Sequence, residues 1–410
     1  MVYIFYVLSG LIIFQLVLPF LTVASSRLFG REQLNTSQET THDYGCIITA
    51  YKNAQIAIPL IHSLLRQTHP KFHIYLVADN CPADFSTGIQ DPRLSEFVPE
   101  PALNLKAKSI IFAMDRFVRA HDYTVIFDAD NLAHPAFLAE IERYARAGHR
   151  CIQGQRTAKN TDNEFAAADA LGEHYKNYIE RYAPYLLGSS SVISGSGMAT
   201  ESQLYRAYLN SPAIQDGQHQ WKKMLQEDKI LQNFLLLSGE RIVYARKAIC
   251  YDEKVDTADA VQTQRSRWLF SYFQNVPNTL AILRKGLFPF NWNTFFFGLI
   301  TLSLPMFIQV ALAGVLFLIG LLVQPTVSIA IAAAGIVFAG TVLWTLQLSG
   351  HPQLISKALT AIPAFIGRQG VALLKMGNPN KNFKHTEHKK IISVDEILGS
   401  DKDDSKSGNR

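Results

Sequence analysis

Asp128 and Asp130 stand one residue apart at the end of the stretch Tyr123-Thr-Val-Ile-Phe-Asp-Ala-Asp-Asn131. Tyr123, Val125, Ile126 and Phe127 favour extended chain, so the run reads as a buried strand that stops at charge. In an open α/β sheet, ligands bind beyond the carboxyl ends of the strands. Two hard carboxylates at such an end suit a divalent cation that carries phosphates. A solvated turn is the ordinary alternative, because Asp-X-Asp arises often by chance. Three other polar points share this placement. Thr49-Ala-Tyr51, Asp79 and Glu227-Asp228 fall at predicted strand ends or just beyond them. Strand ends of one parallel sheet converge on one edge, so these groups can meet although they are far apart in sequence. Taken singly, Tyr51 also reads as a surface aromatic and Asp79-Asn80 as a turn. Glu227-Asp228 also reads as a helix start, where acids suit the helix dipole. The basic counterpart is Gln264-Arg-Ser-Arg-Trp268. Arginine offers a planar fork to phosphate oxygens. Tryptophan offers a flat apolar face to a sugar ring, and it is equally at home in the headgroup region as a simple anchor.

Positioning these groups requires a sheet, and the pattern from Tyr44 onward supplies one. Cys46–Ala50 and Phe72–Ala78 read as strands, and Ala54–Arg66 and Lys108–Arg119 as helices. A helix at Pro135–Ala147 and a short strand at Arg150–Gln153 follow the Tyr123 strand. This alternation predicts an α/β domain with a largely parallel sheet and helices on both faces. A long helix over Glu164–Tyr182 and a late strand pair or extended segment over Arg241–Tyr251 complete it. Cys46, Cys81, Cys151 and Cys250 form no Cys-X-X-Cys pair, which argues against a zinc site. They read as small core hydrophobes, free thiols in a reducing compartment.

The composition places part of the chain in a membrane. Of 410 residues, 48% are hydrophobic and 18% charged, which is apolar for a soluble protein. The net charge of +5 is modest and gives no reason to expect a nucleic-acid partner. Ile4–Ala24 is an apolar run of spanning length with no basic residue before it. It reads as an uncleaved anchor in preference to a cleaved signal. Arg27 and Arg31 behind it put the N-terminus outside and the next domain in the cytoplasm. Thr294–Val323 and Thr326–Leu348 read as two further spans, turning at Gln324-Pro325. Arg284 and Lys285 before them, and Lys357 and Arg368 after them, place both flanks on the same cytoplasmic side. These spans hold no charged residue that could mark a transport path. The predicted layout is a transmembrane helix at 1–25, a linker at 26–43, a catalytic domain at 44–268 and an interfacial helix at 269–290. Two transmembrane helices within 291–349, an amphipathic interfacial helix at 350–376 and a disordered tail at 377–410 follow, with His385 and His388 solvated in that tail.

The polar motifs together carry a resemblance. Ile-Thr-Ala-Tyr-Lys-Asn (48–53), Val-Ala-Asp-Asn-Cys (77–81), Phe-Asp-Ala-Asp-Asn (127–131) and Gln-Gly-Gln-Arg (153–156) come first. Ser-Gly-Ser-Gly-Met (194–198), Glu-Asp (227–228) and Gln-Arg-Ser-Arg-Trp (264–268) follow in order. The chain resembles the membrane-bound family 2 glycosyltransferases, which include cellulose, chitin and hyaluronan synthases and ceramide glucosyltransferases. The likeness covers residues 44–268, and its most specific element is the Gln-X-X-Arg-Trp that follows Glu-Asp.

The resemblance implies a GT-A fold, the mixed, mostly parallel sheet of nucleotide-diphospho-sugar transferases, together with transmembrane helices. It implies a nucleotide-sugar donor, most often a UDP-sugar, bound by Thr49, Tyr51, Asp79, Lys106 and Asp128. Lys108 is the alternative to Lys106, because the usual Gly-Lys-Gly is absent. Asp128 and Asp130 would meet the diphosphate and a Mg²⁺ or Mn²⁺ ion. Asp228 would be the general base, and Gln226 replaces a frequent threonine before Glu227. Gly195, Ser196, Gly197 and Glu227 would border the acceptor. Gln264, Arg267 and Trp268 would line the place where acceptor and diphosphate meet, with Arg267 neutralising the leaving group. One base and no protein nucleophile imply single displacement, hence a β-linked product from an α-linked donor. The expected acceptor is a lipid or glycan, in cell-surface or extracellular polysaccharide synthesis at a bacterial plasma membrane. A non-processive enzyme acting on a lipid is the alternative, and a homo-oligomer or partner subunit could complete a channel. The intact carboxylates and the intact Gln-Arg-Ser-Arg-Trp argue against a catalytically silent scaffold.

Overall fold

Three buried strands set the frame. β1 (Tyr44–Tyr51), β2 (Phe72–Asp79) and β4 (Tyr123–Asp128) carry near-continuous apolar residues, as strands covered on both faces must. With β3 (Leu94–Phe97) they form a parallel array ordered β3-β2-β1-β4. The computed structural model describes residues 2–32, 34, 40–220, 226–350, 354, 358, 362–374 and 392–399. Among the described residues the sheet has eight strands, adding β5 (Leu132–Ala133), β6 (Cys151–Ala158), β7 (Met198–Glu201) and β8 (Ile242–Asp252). β7 lies antiparallel between β4 and β6, while β6 and β8 are parallel. Two reversals therefore return β6 and β8 to the direction of β1, β2 and β4. Their carboxyl ends share one edge of the sheet, and the fold is the mixed, mostly parallel one expected.

The described chain divides into two compact units. The sheet belongs to the one made of Gln33–Asn160, Val192–Lys254 and Gly377–Arg410. The other consists of Met1–Glu32, Thr161–Ser191 and Val255–Met376. Of the residues 44–268 expected to form the catalytic domain, 161–191 and 255–268 fall in this second unit. For 161–191 the reason is apolar packing: Tyr175, Tyr178, Ile179 and Ala183 are buried with Phe5, Ile12 and Leu16 of the N-terminal helix.

Three helices are long and apolar enough to cross a membrane: Val2–Phe29, Met306–Val323 and Pro325–Ser349. They pack on one another through Phe5, Ile12, Leu316, Ile331 and Phe338. The span predicted from Thr294 is interrupted, because Trp292–Leu302 and Met306–Val323 are separate helices. Pro305 at the break lacks the N–H that would continue the first helix, and it pushes the residue before it out of the α region. The helix predicted to begin at 269 is one continuous helix, Ala258–Leu287, which already contains Gln264–Trp268. Thr257 caps it by accepting from the Ala260 amide at 3.3 Å. The helix predicted over Glu164–Tyr182 is present, with a π turn over its last six residues. Arg241–Tyr251 resolves into the single strand β8, whose register shifts against β6 between Gly154 and Gln155.

The tail predicted to be disordered holds an ordered piece. Val394 and Ile397 are buried against Leu132 and Tyr251, and Asp395 pairs with Arg66 at 2.5 Å. Ser393 and Glu396 cap this short helix reciprocally, Ser393 donating to Glu396 and the Glu396 amide donating back. His385 and His388 lie outside the described residues. All four cysteines are free thiols, and Cys46, Cys151 and Cys250 are buried within β1, β6 and β8 as small hydrophobes.

One cluster of the sheet unit makes stability depend on pH. His73 bonds Ser95 at 2.9 Å, and burial, then Arg119 and His121, push its pKa down to about 4. The unfolded chain takes up this proton below its ordinary 6.5, whereas the folded chain does not until about 4. Stability is therefore full above pH 6.5 and is lost as pH falls toward 4. Urea denaturation of the detergent-solubilised protein should lose on the order of 1–2 kcal/mol between pH 7 and pH 4.5. His73→Gln should flatten this slope, and equal slopes in both proteins would contradict the assignment.

Candidate active site

The carboxyl edge of β1 and β2 carries the first group of predicted residues. Tyr51 and Asp79 are paired in register, and Thr49 pairs with Asp128 on the other side. Asp79 is buried, with its two oxygens accepting from the amides of Leu103 and Asn104 at 2.7 Å each. Tyr51 donates to Asn104 at 3.0 Å and accepts from Asn80 at 3.3 Å. Lys52, Asn80 and Asn104 are all left-handed, with φ of 67°, 57° and 57°. Three such non-glycine residues at one edge are uncommon, and strain of this kind concentrates where ligands bind. Asp79 thus shapes the loop that delivers Lys106, a task its sequence position did not reveal.

The second group gathers at the end of β4. The Lys106 ammonium donates to Asp128 at 2.6 Å and to the Gly195 carbonyl at 2.9 Å, and it lies 3.4 Å from Glu227. The two lysines left open by the sequence are thereby separated. Lys106 faces the carboxylates, and Lys108, two residues further along the same helix, leaves from another face. Burial works against the Lys106 charge, but Asp128 and Glu227 outweigh it and hold the ammonium above the ordinary lysine range. Burial pushes Glu227 above the usual carboxylate range, against the pull of Lys106 and with a further push from Asp228. Glu227 and Asp228 occupy the first turn of the helix Glu227–Leu237, so the helix-start reading also holds. Asp228 lies beside Gly195, its Oδ2 3.7 Å from where a Cβ on that glycine would stand.

The glycine loop between these groups is held from below. Gln153, fully buried on β6, accepts from the Ser194 amide at 2.9 Å and donates to the Ser196 carbonyl at 3.1 Å. Gly197 donates to Ile126 of β4 at 2.8 Å and accepts from Gly154 at 2.8 Å. It is left-handed at φ 61°, and a Cβ there would stand 2.8 Å from the Cβ of Cys250. Gly197→Ala should cost about 2–4 kcal/mol through strain and overpacking, read as a fall in thermal midpoint. Gly148→Ala is the control, since its φ is also positive but nothing lies within 4 Å. Equal effects of the two changes would remove the packing argument.

The chemistry of the donor set fits a divalent cation. Asp128 and buried Asp130 present hard oxygens, and Asp128 and the Gly195 carbonyl already accept a cationic group, the Lys106 ammonium. No cluster of three or more His, Cys, Asp or Glu side chains among the described residues could hold a metal ion. Magnesium needs no such cluster, because it is commonly held by one or two carboxylates with phosphates and water.

Gln264, Arg267 and Trp268 belong to the other unit, on the helix Ala258–Leu287. There Arg265 pairs with Asp169 and lies over the Trp268 ring at 4.3 Å, and Lys176 lies over the same ring at 5.1 Å. The indole is therefore engaged by the chain's own cations. Burial lowers the pKa of Arg267.

A parallel array whose strand ends carry Tyr51, Asp79, Asp128 and Asp130, closed by an antiparallel β7, is the GT-A fold of nucleotide-sugar transferases. The sequence matches the family described as "Glycosyltransferase like family 2" over residues 42–271, more than half of the chain, so the protein belongs to that family and is a glycosyltransferase. The fold is similar to a mannosyltransferase, PcManGT from Pyrobaculum calidifontis, solved with GDP-Man and Mn²⁺. That likeness has a TM-score of 0.57 at 12% identity and covers 93% of this chain and 100% of that one. S. aureus TarS 1–349 in complex with UDP gives a TM-score of 0.37 at 14% identity, covering 54% of this chain and 63% of that one. No curated protein matches the chain.

Proposed function

We propose that the protein transfers a sugar, with inversion, from a nucleotide-sugar to a membrane-borne lipid or glycan acceptor. The observation that carries this reading is the convergence of Asp128, Glu227 and the Gly195 carbonyl on one ammonium, with Asp228 beside Gly195. Sugar transfer needs a site that tolerates a charged diphosphate and a base close to it, and this arrangement supports both. Tyr51, Asp79 and Thr49 at the neighbouring strand ends would receive the nucleoside. Lys106 would turn from Asp128 to the diphosphate oxygens. Asp128 and Asp130 would hold Mg²⁺ or Mn²⁺, which when bound supplies charge neutralisation at the leaving diphosphate. The mannosyltransferase of like fold, solved with GDP-Man and Mn²⁺, supports this donor and cation class. Asp228 would accept the proton of the attacking hydroxyl. Gly195, Ser196 and Gly197 would border that hydroxyl, Gln264 and Trp268 would serve the acceptor, and Arg267 would serve the diphosphate.

Three helices long enough to cross a membrane support an acceptor carried by the bilayer. Their basic flanks support a cytoplasmic catalytic domain with the N-terminus outside. The biological role that follows is cell-surface polysaccharide assembly. The test is incubation of the purified protein and lipid extract with UDP-glucose, UDP-N-acetylglucosamine or GDP-mannose, with products weighed by mass spectrometry. One donor should yield a lipid or glycan heavier by one or more sugar residues. Hydrolysis to free sugar alone would remove the transferase reading of the acceptor.

A further inference from the structure

β8, a second strand that runs straight into charge, ends at Asp252 and is followed by Glu253 and Lys254. All three charged residues are largely buried, which is unusual for a turn. The Asp252 carboxylate takes up three donors. Arg156 lies at 3.1 Å and Lys254 at 3.0 Å from one oxygen, and Asn131 donates to the other at 3.2 Å. Two of these donors lead to the candidate site. Arg156 also donates to the Ser194 carbonyl at 2.9 Å, at the start of the glycine loop. Buried Asn131 also accepts from the Asp128 amide at 3.1 Å, closing the carboxylate turn. Asp252 is thus the shared end of two short chains of hydrogen bonds, one to each side of the site.

We infer that Asp252 is a positioning residue that locks the Asp128–Asp130 turn and the Ser194–Gly197 loop in one geometry through Asn131 and Arg156. Two loops that must each place a carboxylate or a carbonyl at the same cation-bound diphosphate need a common reference. A rigid strand end provides one, because β8 is fixed by its register on β6. Asn131→Ala cuts only the turn's link, whereas Asp252→Asn cuts the ion pair with Arg156 as well. Outer-shell partners of metal-binding carboxylates are typically worth 10–100-fold in affinity.

The inference rests on the donor-site reading, so the test carries its own control for that reading. The full-length protein in detergent is titrated with UDP and with GDP, each in Mn²⁺ and in EDTA. Asp130→Ala should abolish the gain in affinity that Mn²⁺ gives, and if it does not, the donor-site reading fails. Asn131→Ala and Asp252→Asn should each weaken nucleotide binding in Mn²⁺ by about 10–100-fold while leaving binding in EDTA unchanged. A merely structural role would weaken both alike. Unaltered Mn²⁺-dependent affinity in Asn131→Ala, which keeps both buried cations paired, would overturn the inference even if Asp252→Asn failed to fold.

Discussion

Asp228→Asn should bind nucleotide in Mn²⁺ as tightly as the unaltered enzyme and transfer sugar about 10²–10⁴-fold more slowly. The substitution keeps the size of the side chain and its place beside Gly195, so the loop is undisturbed. What it removes is the one group assigned to take the proton of the incoming hydroxyl. The prediction separates the base from its neighbour. Glu227 lies 3.4 Å from the Lys106 ammonium, and that pairing suits a structural role better than that of a base. Glu227→Gln should therefore retain more activity than Asp228→Asn. Comparable losses of turnover in both, at unchanged affinity, would move the base assignment to the pair.

Asp130→Ala should erase the metal dependence of donor binding, a loss of about 10²-fold or more at saturating Mn²⁺. Asp130 is buried, and its backbone carbonyl accepts from Lys159 at 3.4 Å, so the turn keeps an anchor when the carboxylate is gone. Affinity in EDTA should be unaffected. Donor affinity that rises equally with Mn²⁺ in both proteins would take the cation away from this carboxylate.

The residues legible in the sequence were those where a strand pattern collides with charge. Tyr123–Asp128 is the clearest, and Gln264–Trp268 is legible by its spacing. The same collision at the end of β8 is hidden in the sequence, because Asp-Glu-Lys after a strand looks like any solvated turn until burial shows otherwise. The role of Gln153 is hidden for a related reason. It opens the Gln-Gly-Gln-Arg motif, but nothing in that motif says that its side chain supports a loop some forty residues away. β7 has four residues, too few to show a period of two, so the reversal that makes the sheet mixed was invisible. The break at Pro305 and the Ser393/Glu396 cap were readable in principle. Each was submerged in a stronger regional signal, apolar in one case and polar in the other. In residues 161–191 the apolar face of a helix does not name its partner in the sequence, and only the contacts with Phe5, Ile12 and Leu16 do.

The central claim, single displacement driven by Asp228 at a nucleotide-sugar site, is tested most directly by the configuration of the new bond. Proton NMR of the product formed from an α-linked sugar nucleotide reads it from one anomeric coupling constant. The account predicts a β-linked product from the unaltered enzyme, and the same product about 10²–10⁴-fold more slowly from Asp228→Asn. An α-linked product, or a β-linked product formed at full rate by Asp228→Asn, would contradict it.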